Sequence, residues 1–234
     1  MIDFHSHILP NIDDGSRDVE ESLELLRMSA NQGIDTMVAT PHFYVEQDTV
    51  ESFLKKRQRA YDALMEHTKG ENLPDVKWGA EVYFFNELSQ LENVERLSIG
   101  SGRYILIEMP FEVWTKRTFD SLYNLMARKR LIPIIAHIER YIPVQRDMKK
   151  INTLLDMDVL VQMNGSFINN WKTRRKALGL LKKEKVHLLG SDCHNIGSRK
   201  PNLQSAFEII EKKLGIEKIN EIDNQGKKIL ESTS

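Results

Sequence analysis

The chain has 234 residues, with 33 basic against 34 acidic side chains, a net charge of −1 and a single cysteine, Cys193. A near-neutral balance excludes the broad basic surface of a non-specific nucleic-acid binder, and one cysteine excludes an intramolecular disulfide or a cysteine-only zinc site. The N-terminal Met-Ile-Asp-Phe-His has no signal-peptide character, and no apolar run approaches ~18 residues, so no membrane span and a cytoplasmic location are expected.

Short apolar runs alternate with longer amphipathic segments along the chain. Ile2–His5 reads as a strand. Val19, Leu23, Leu26 and Ala30 then recur at helical spacing before a stop at Asn31–Gly33. Thr36–Thr40 is the second strand, and Val50–Thr68 a charged helix with Phe53, Leu54, Tyr61 and Leu64 on its apolar side. Strands Val76–Glu81 and Tyr104–Glu108 flank the longest stretch without an obvious strand, about Phe84–Gly102. Phe119, Leu122, Tyr123 and Met126 mark a helix before strand Ile132–His137. Helix Lys149–Asp156, strand Val159–Met163, helix Arg174–Lys183, strand His187–Gly190 and helices Leu203–Lys213 and Glu217–Leu230 complete the pattern. Repeated strand–helix alternation predicts a parallel sheet. With no linker or internal repeat, it predicts one α/β domain over residues 1–234, closed into a barrel.

The histidines fall at the strand ends. His5 and His7 straddle the end of the first strand, His42 follows the second, and His137 ends the fifth. Asp192 and His194 follow the seventh, while Glu81 and Glu108 end the third and fourth. In a parallel barrel all of these ends share one face, the face that hosts catalysis. Histidine with carboxylate is a ligand set for Zn, Mn or Fe, and a carboxylate ending an apolar strand needs a cation partner. Alternate strand residues share a side, so His5 and His7 can share one ion. Asp192 and His194 have the same spacing, although a turn there can divide them between two ions. Asp13, ahead of Gly15 and a helix start, reads as a turn and helix cap.

The ordered set Asp3-Phe-His5-Ser-His7-Ile-Leu-Pro, Ile12-Asp-Asp-Gly15, Ala39-Thr-Pro-His42, Gly79-Ala-Glu81, Ala136-His137-Ile-Glu-Arg140-Tyr and Ser191-Asp192-Cys-His194-Asn covers nearly the whole chain. It resembles the PHP (polymerase and histidinol phosphatase) superfamily, in its bacterial branch of metal-dependent protein-tyrosine phosphatases of capsule and exopolysaccharide regulation. The resemblance implies a distorted TIM-like (βα)7 barrel of the PHP type holding three divalent metals. It assigns His5, His7, Glu81 and Asp192 to the first ion, with Glu81 bridging to a second completed by Glu108 and His137. Asp14, His42 and His194 hold the third. Arg140 and Arg199 match phosphate-gripping arginines. Ile138 departs from the proline common after the histidine in that family, which bears on loop shape. The implied substrate is phosphotyrosine on the tyrosine-rich tail of a bacterial tyrosine kinase governing polysaccharide export.

Four carboxylates against three divalent ions leave a site of about +2, suited to a phosphate dianion, and a bridging water there would ionise near pH ~7. In-line attack by hydroxide follows, with the metals and Arg140 and Arg199 neutralising the phosphate oxygens. His42 or His194 is a candidate proton donor to the leaving phenolate, although both are claimed as ligands. Phe43, Tyr44, Phe84, Phe85, Phe111 and Trp114 follow strand ends and are candidates for an aromatic slot, Phe43 and Tyr44 first among them, with core packing the alternative. Three rivals remain. Cys193 and Arg199 have the spacing of cysteine-dependent tyrosine phosphatases, although Asp192 would raise the thiol pKa. Another PHP phosphoesterase, such as a histidinol phosphatase, would share the metals. A metal-binding scaffold would keep the ligands without turnover. Manganese is the expected metal, with iron or zinc as alternatives.

Overall fold

A computed structural model describes residues 1–100, 102–146 and 148–231. The elements run β1 (Ile2–Ser6), α1 (Val19–Ala30), β2 (Thr36–Ala39), β3 (His42–Phe43), α2 (Val50–Met65), β4 (Asp75–Trp78), β5 (Glu81–Tyr83), β6 (Tyr104–Glu108), α3 (Lys116–Lys129) and β7 (Ile132–Ile135). There follow α4 (Met148–Leu155), β8 (Leu160–Asn164), α5 (Gly165–Asn169), α6 (Arg174–Lys182), β9 (Leu188–Gly190), α7 (Leu203–Leu214) and α8 (Ile216–Glu231). Every ladder is parallel, in the orders β1-β2-β4 and β3-β5-β6-β7-β8-β9, as expected where helices make the crossovers. The result is a mixed α/β fold with a curled parallel sheet. None of the described helices is long and apolar enough to cross a membrane.

The strand expected over 76–81 is two strands, and the one over 36–40 stops early and resumes as β3. The breaks lie side by side. Pro41 has no amide hydrogen to continue the ladder, and opposite it Gly79 N bonds Ala39 O while Glu81 N bonds Pro41 O. The pairing thus steps from β2–β4 to β3–β5 and divides the sheet. At the other margin, first and last strands meet: Ser6 bridges Cys193, Asp192 N donates to His5 O at 2.8 Å, and His7 N donates to Cys193 O at 2.9 Å.

Two apolar cores result. Strands and helices bury one between them, and the curled sheet encloses the other, with Ile2, Phe4, Val38, Leu106, Ile134 and Leu188. Burying a side chain the size of Phe4 contributes about 1.5–3 kcal/mol. The last helix floors this inner core: Ile229 belongs to it, and a Cβ on Gly226 would stand 3.0 Å from Ile2 and 3.4 Å from Phe4.

Candidate metal centre

β1 owes its geometry to a bulge. Asp3 pairs with Met37 but Ser6 with Ala39, so one extra residue is accommodated between them. Such an insertion re-aims the side chains that follow. Ile2 and Phe4 face the inner core, and after the bulge His5 faces inward too, against a Gly190 whose Cβ would lie 2.5 Å from that of His5. His5 Nε2 and His7 Nε2 then stand 3.2 Å apart. They lie 3.1 and 3.2 Å from Glu81 Oε2, and 3.7 and 3.6 Å from Asp192 Oδ1. Bonds of about 2.1 Å in tetrahedral geometry hold donor atoms about 3.4 Å apart, so these four fit one ion.

The rings are oriented from behind. His7 Nδ1 lies 2.7 Å from Asp13 Oδ2, and His5 Nδ1 3.2 Å from Gln162 Oε1. Gln162 is itself pinned: Oε1 also accepts from His137 N at 2.7 Å, and Nε2 donates to Asn164 Oδ1 at 2.9 Å. Asn164 Nδ2 in turn donates to Asp192 Oδ2 at 2.9 Å. With each Nδ1 engaged outward, both Nε2 atoms point at the same spot, an arrangement that a cation reconciles.

Glu81 extends the cluster. Its Oε1 lies 2.8 Å from His137 Nε2, which is 3.3 Å from Glu108 Oε1. His42 Nδ1 is 3.2 Å from Glu81 Oε2. Asp14 Oδ1 is 3.5 Å from His42 Nε2 and 3.4 Å from His194 Nε2. Three overlapping sets have ligand atoms within 4.8 Å of one another: His5, His7 and Glu81; His42, Glu81 and Glu108; and His7, Asp14, His42 and His194. The buried His42 Nδ1 and His194 Nε2 have no hydrogen-bond partner, so the donor set fits metal ions. His137 and Asp192 both take the left-handed region, at φ 31° and 54°, a strain of the kind that clusters at functional sites.

Protonation divides the histidines. Burial opposes charge on His7 and His137, but hydrogen bonds outweigh it, from Asp13 and Glu81 for His7 and from Glu108 and Glu81 for His137. They raise His7 to about 10 and His137 to about 9. Burial also opposes charge on Asp13, yet His7 holds it down at about 2. His194 falls to about 4, through burial and the His7 charge, and burial lowers His42 as well. Neutral rings suit His42 and His194 to ligation and leave them without a proton to give at neutral pH.

Arg140, in the 3-10 turn after β7, and Arg199 reach the same carboxylate. Arg140 Nη2 bonds Asp192 Oδ2, and Arg199 Nη2 lies 2.8 Å from Asp192 Oδ1. Both are partly exposed at the mouth.

The aromatic slot needs correcting. Phe43 is buried edge-on against Phe53, and Phe84 and Trp114 are buried too. Phe85 packs half-buried on the outer core. Residues next to a ligand on a strand point away from it, whereas Tyr44 and Tyr83 lie two residues beyond His42 and Glu81. Tyr44 stacks 5.3 Å from His42 and 5.6 Å from Tyr83, and Phe111, 48% exposed, stacks 6.1 Å from His137. A cleft of about 550 Å³ opens beside Asp14, His42 and Tyr44.

Nor is Cys193 a nucleophile. It is fully buried in the core, and burial with Asp3 and Asp192 pushes its thiol pKa up. The loop amides are already used. His194 N and Asn195 N bond Arg199 O, while Gly197 N and Arg199 N bond Asn195 Oδ1. Asp13 makes the expected turn through Gly15 N, but the cap of α1 is Asp18. The contact of Asp13 with His7 is not foreseen in the sequence, nor are Gln162 and Asn164. The available signal was two polar residues at alternate positions ending an apolar strand.

A family profile described as "Capsular polysaccharide synthesis, CpsB/CapC" matches residues 1–231. The Streptococcus pneumoniae protein named tyrosine-protein phosphatase CpsB is 34% identical, over 99% of each chain. Tyrosine-protein phosphatase YwqE of Bacillus subtilis is 33% identical, over 93% of this chain and 86% of its own. A structure from work on YwqE and CpsB, described as unique metal-dependent tyrosine phosphatases, superposes with a TM-score of 0.87 at 29% identity, covering 100% of this chain and 96% of that one. The chain belongs to the CpsB/CapC family of capsular polysaccharide synthesis.

Proposed function

We propose that the chain is a metal-dependent protein-tyrosine phosphatase, with one PHP-type distorted (βα)7 barrel over residues 1–234. The reading rests on a single observation: histidines converge on the buried Glu81, and Arg140 and Arg199 meet on Asp192 in the same cluster. The similarity to proteins named tyrosine-protein phosphatases supports it. His5, His7, Glu81 and Asp192 would hold one ion, Glu81, Glu108 and His137 a second, and Asp14, His42 and His194 a third, with manganese the metal of choice. When bound, these ions supply Lewis acidity and activate water for attack at phosphorus.

The protein's own groups do the rest. Arg140 and Arg199 grip the phosphate oxygens, exchanging part of their contact with Asp192 for the incoming dianion. Tyr44 and Phe111 flank the space above the histidines and hold the phenyl ring. Asp13 and Gln162 keep the Nδ1 protons of His7 and His5 in place, so each Nε2 stays turned to the centre. The phenolate, with a pKa near ~10, leaves more readily than an alkoxide.

The proposed physiological substrate is the phosphorylated tyrosine-rich tail of a bacterial tyrosine kinase of capsule synthesis, which goes with a cytoplasmic location. The test is turnover of a phosphotyrosine peptide after EDTA treatment and again after Mn²⁺ is restored. Activity lost and then regained is expected. Activity indifferent to EDTA, or preferential turnover of histidinol phosphate, would overturn the reading.

A further inference from the structure

β8 leads into a stretch without a carboxylate. From Val159 to Lys183 the chain has no Asp or Glu and six Lys or Arg, in a protein whose charges nearly cancel overall. The turn between α5 and α6, with the first turn of α6, carries four of them, Lys172, Arg174, Arg175 and Lys176, beside Trp171. Trp171 is 76% exposed, and Lys172 Nζ lies 5.6 Å from its ring centroid. Arg174 ties the turn down, donating to Ile168 O at 3.1 Å and Asn169 O at 2.8 Å. Lys172, Arg175 and Lys176 are exposed, and their side chains make no ion pair among the described residues. An indole and three free cations form an unusual surface, since a large exposed aromatic with unpaired charge of one sign commonly marks recognition.

The turn is attached to the phosphate-gripping machinery. It stands at the carboxyl end of β8, between the strand ends that lead to Arg140 and to Arg199. Asn169 Nδ2 donates to Asn202 O at 2.8 Å, and Asn202 Nδ2 donates to Ser191 O, next to Asp192. Elsewhere around the mouth the sign is reversed: Glu46 and Glu112 are exposed after β3 and β6, and Asp14, 3.9 Å from Arg199, after β1.

Resting on the phosphotyrosine reading above, we propose that Trp171, Lys172, Arg175 and Lys176 form a second subsite. It takes a further phosphotyrosine on the same polypeptide as the one in the mouth. The indole faces the second phenyl ring and the three cations its phosphate. Charge complementarity selects this occupant. An anionic bilayer laid across the mouth would press on Asp14, Glu46 and Glu112 as well, whereas one acidic chain leaving the mouth towards β8 runs onto a segment free of carboxylates. A substrate carrying several phosphotyrosines is thereby held while one is hydrolysed.

The Mn²⁺-loaded protein is assayed with peptides bearing one or two phosphotyrosines, and anisotropy is measured with their non-hydrolysable phosphonate analogues. The doubly phosphorylated peptide is expected to bind about tenfold tighter and show a correspondingly lower KM, with kcat little changed. The combined Lys172→Glu, Arg175→Glu and Lys176→Glu variant should lose that preference while its turnover of p-nitrophenyl phosphate stays at the wild-type level. Trp171→Ala, which leaves the charges intact, should lose part of it, and Trp171→Tyr should restore it. Equal affinity for the two peptides, or a preference surviving in the charge-reversed variant, overturns the proposal. So does patch-dependent binding to phosphatidylglycerol vesicles without a peptide preference. Failure of the phosphatase reading is distinct: no phosphate would be released from either peptide or from p-nitrophenyl phosphate, while the anisotropy comparison would still report on the patch.

Discussion

The two sides of the mouth are built on different terms. On the β1–β3 side, His5 and His7 are buried, Asp13 is partly buried behind them, and each ring nitrogen has an assigned neighbour, so the two histidines are fixed by packing and hydrogen bonds. On the β7–β9 side, Arg140 and Arg199 are partly exposed and share one carboxylate, so they are held by charge-assisted hydrogen bonds to Asp192. Buried, hydrogen-bonded groups keep their positions when a neighbour changes, whereas long exposed cations exchange partners at little cost. In the proposed site, a fixed centre thus sits beside arginines able to exchange partners.

The largest break in that contrast comes from its shared centre. Glu81 touches His5, His7, His42 and His137, so Glu81→Ala should lose bound metal by elemental analysis and phosphatase activity together. Retained turnover would remove Glu81 from the site. On the clamp side, Arg140→Ala and Arg199→Ala should each reduce kcat/KM by about 10²–10³-fold with metal content unchanged, and a parallel loss of metal would show that the sides are not separable. Asp13→Asn tests the support of His7. Metal affinity should fall about 10–100-fold by competition with a chelator, with full activity at saturating metal. Cys193→Ser should leave activity within about threefold of wild type, since a buried group of raised pKa offers no thiolate.

A pH series sharpens the same comparison. Without metal, His7 and His137 hold protons at about 10 and about 9, against about 6.5 when unfolded. Raised folded values stabilise the fold below pH about 6.5, and that stability is lost as pH rises through about 9–10. The Tm of the chelated protein should fall between pH 6.5 and 10, and the Glu81→Gln variant should show a shallower fall. Metal uptake displaces these protons, so affinity should rise over the same range.

Much of the centre was legible because strand ends are. An apolar run closing on His or Glu marks the strand and its outward residue: Glu108 ends β6, and His137, Asp192 and His194 follow β7 and β9, whereas the breaks after β2 and β4 make His42 and Glu81 open β3 and β5 instead. What escaped depends on details finer than a run of residues. The bulge in β1 is invisible in Asp3-Phe-His5, yet it decides which way His5 points. Asp13 resembles any turn aspartate until the fold brings His7 and His42 N to it. Alternation, applied strictly, would have chosen Tyr44 and Tyr83 over Phe43 and Phe84.

The meeting of Ser6 with Cys193 carries a consequence for how the protein is made. His5 and His7 leave the ribosome well before Asp192 and His194. At ordinary rates of synthesis the early pair waits roughly 10–40 s for its partners. Over that interval the nascent chain carries only a fragment of the proposed coordination sphere, which is complete only once residue 194 has emerged. An ion captured early by the two N-terminal histidines would be held by too few groups to be kept.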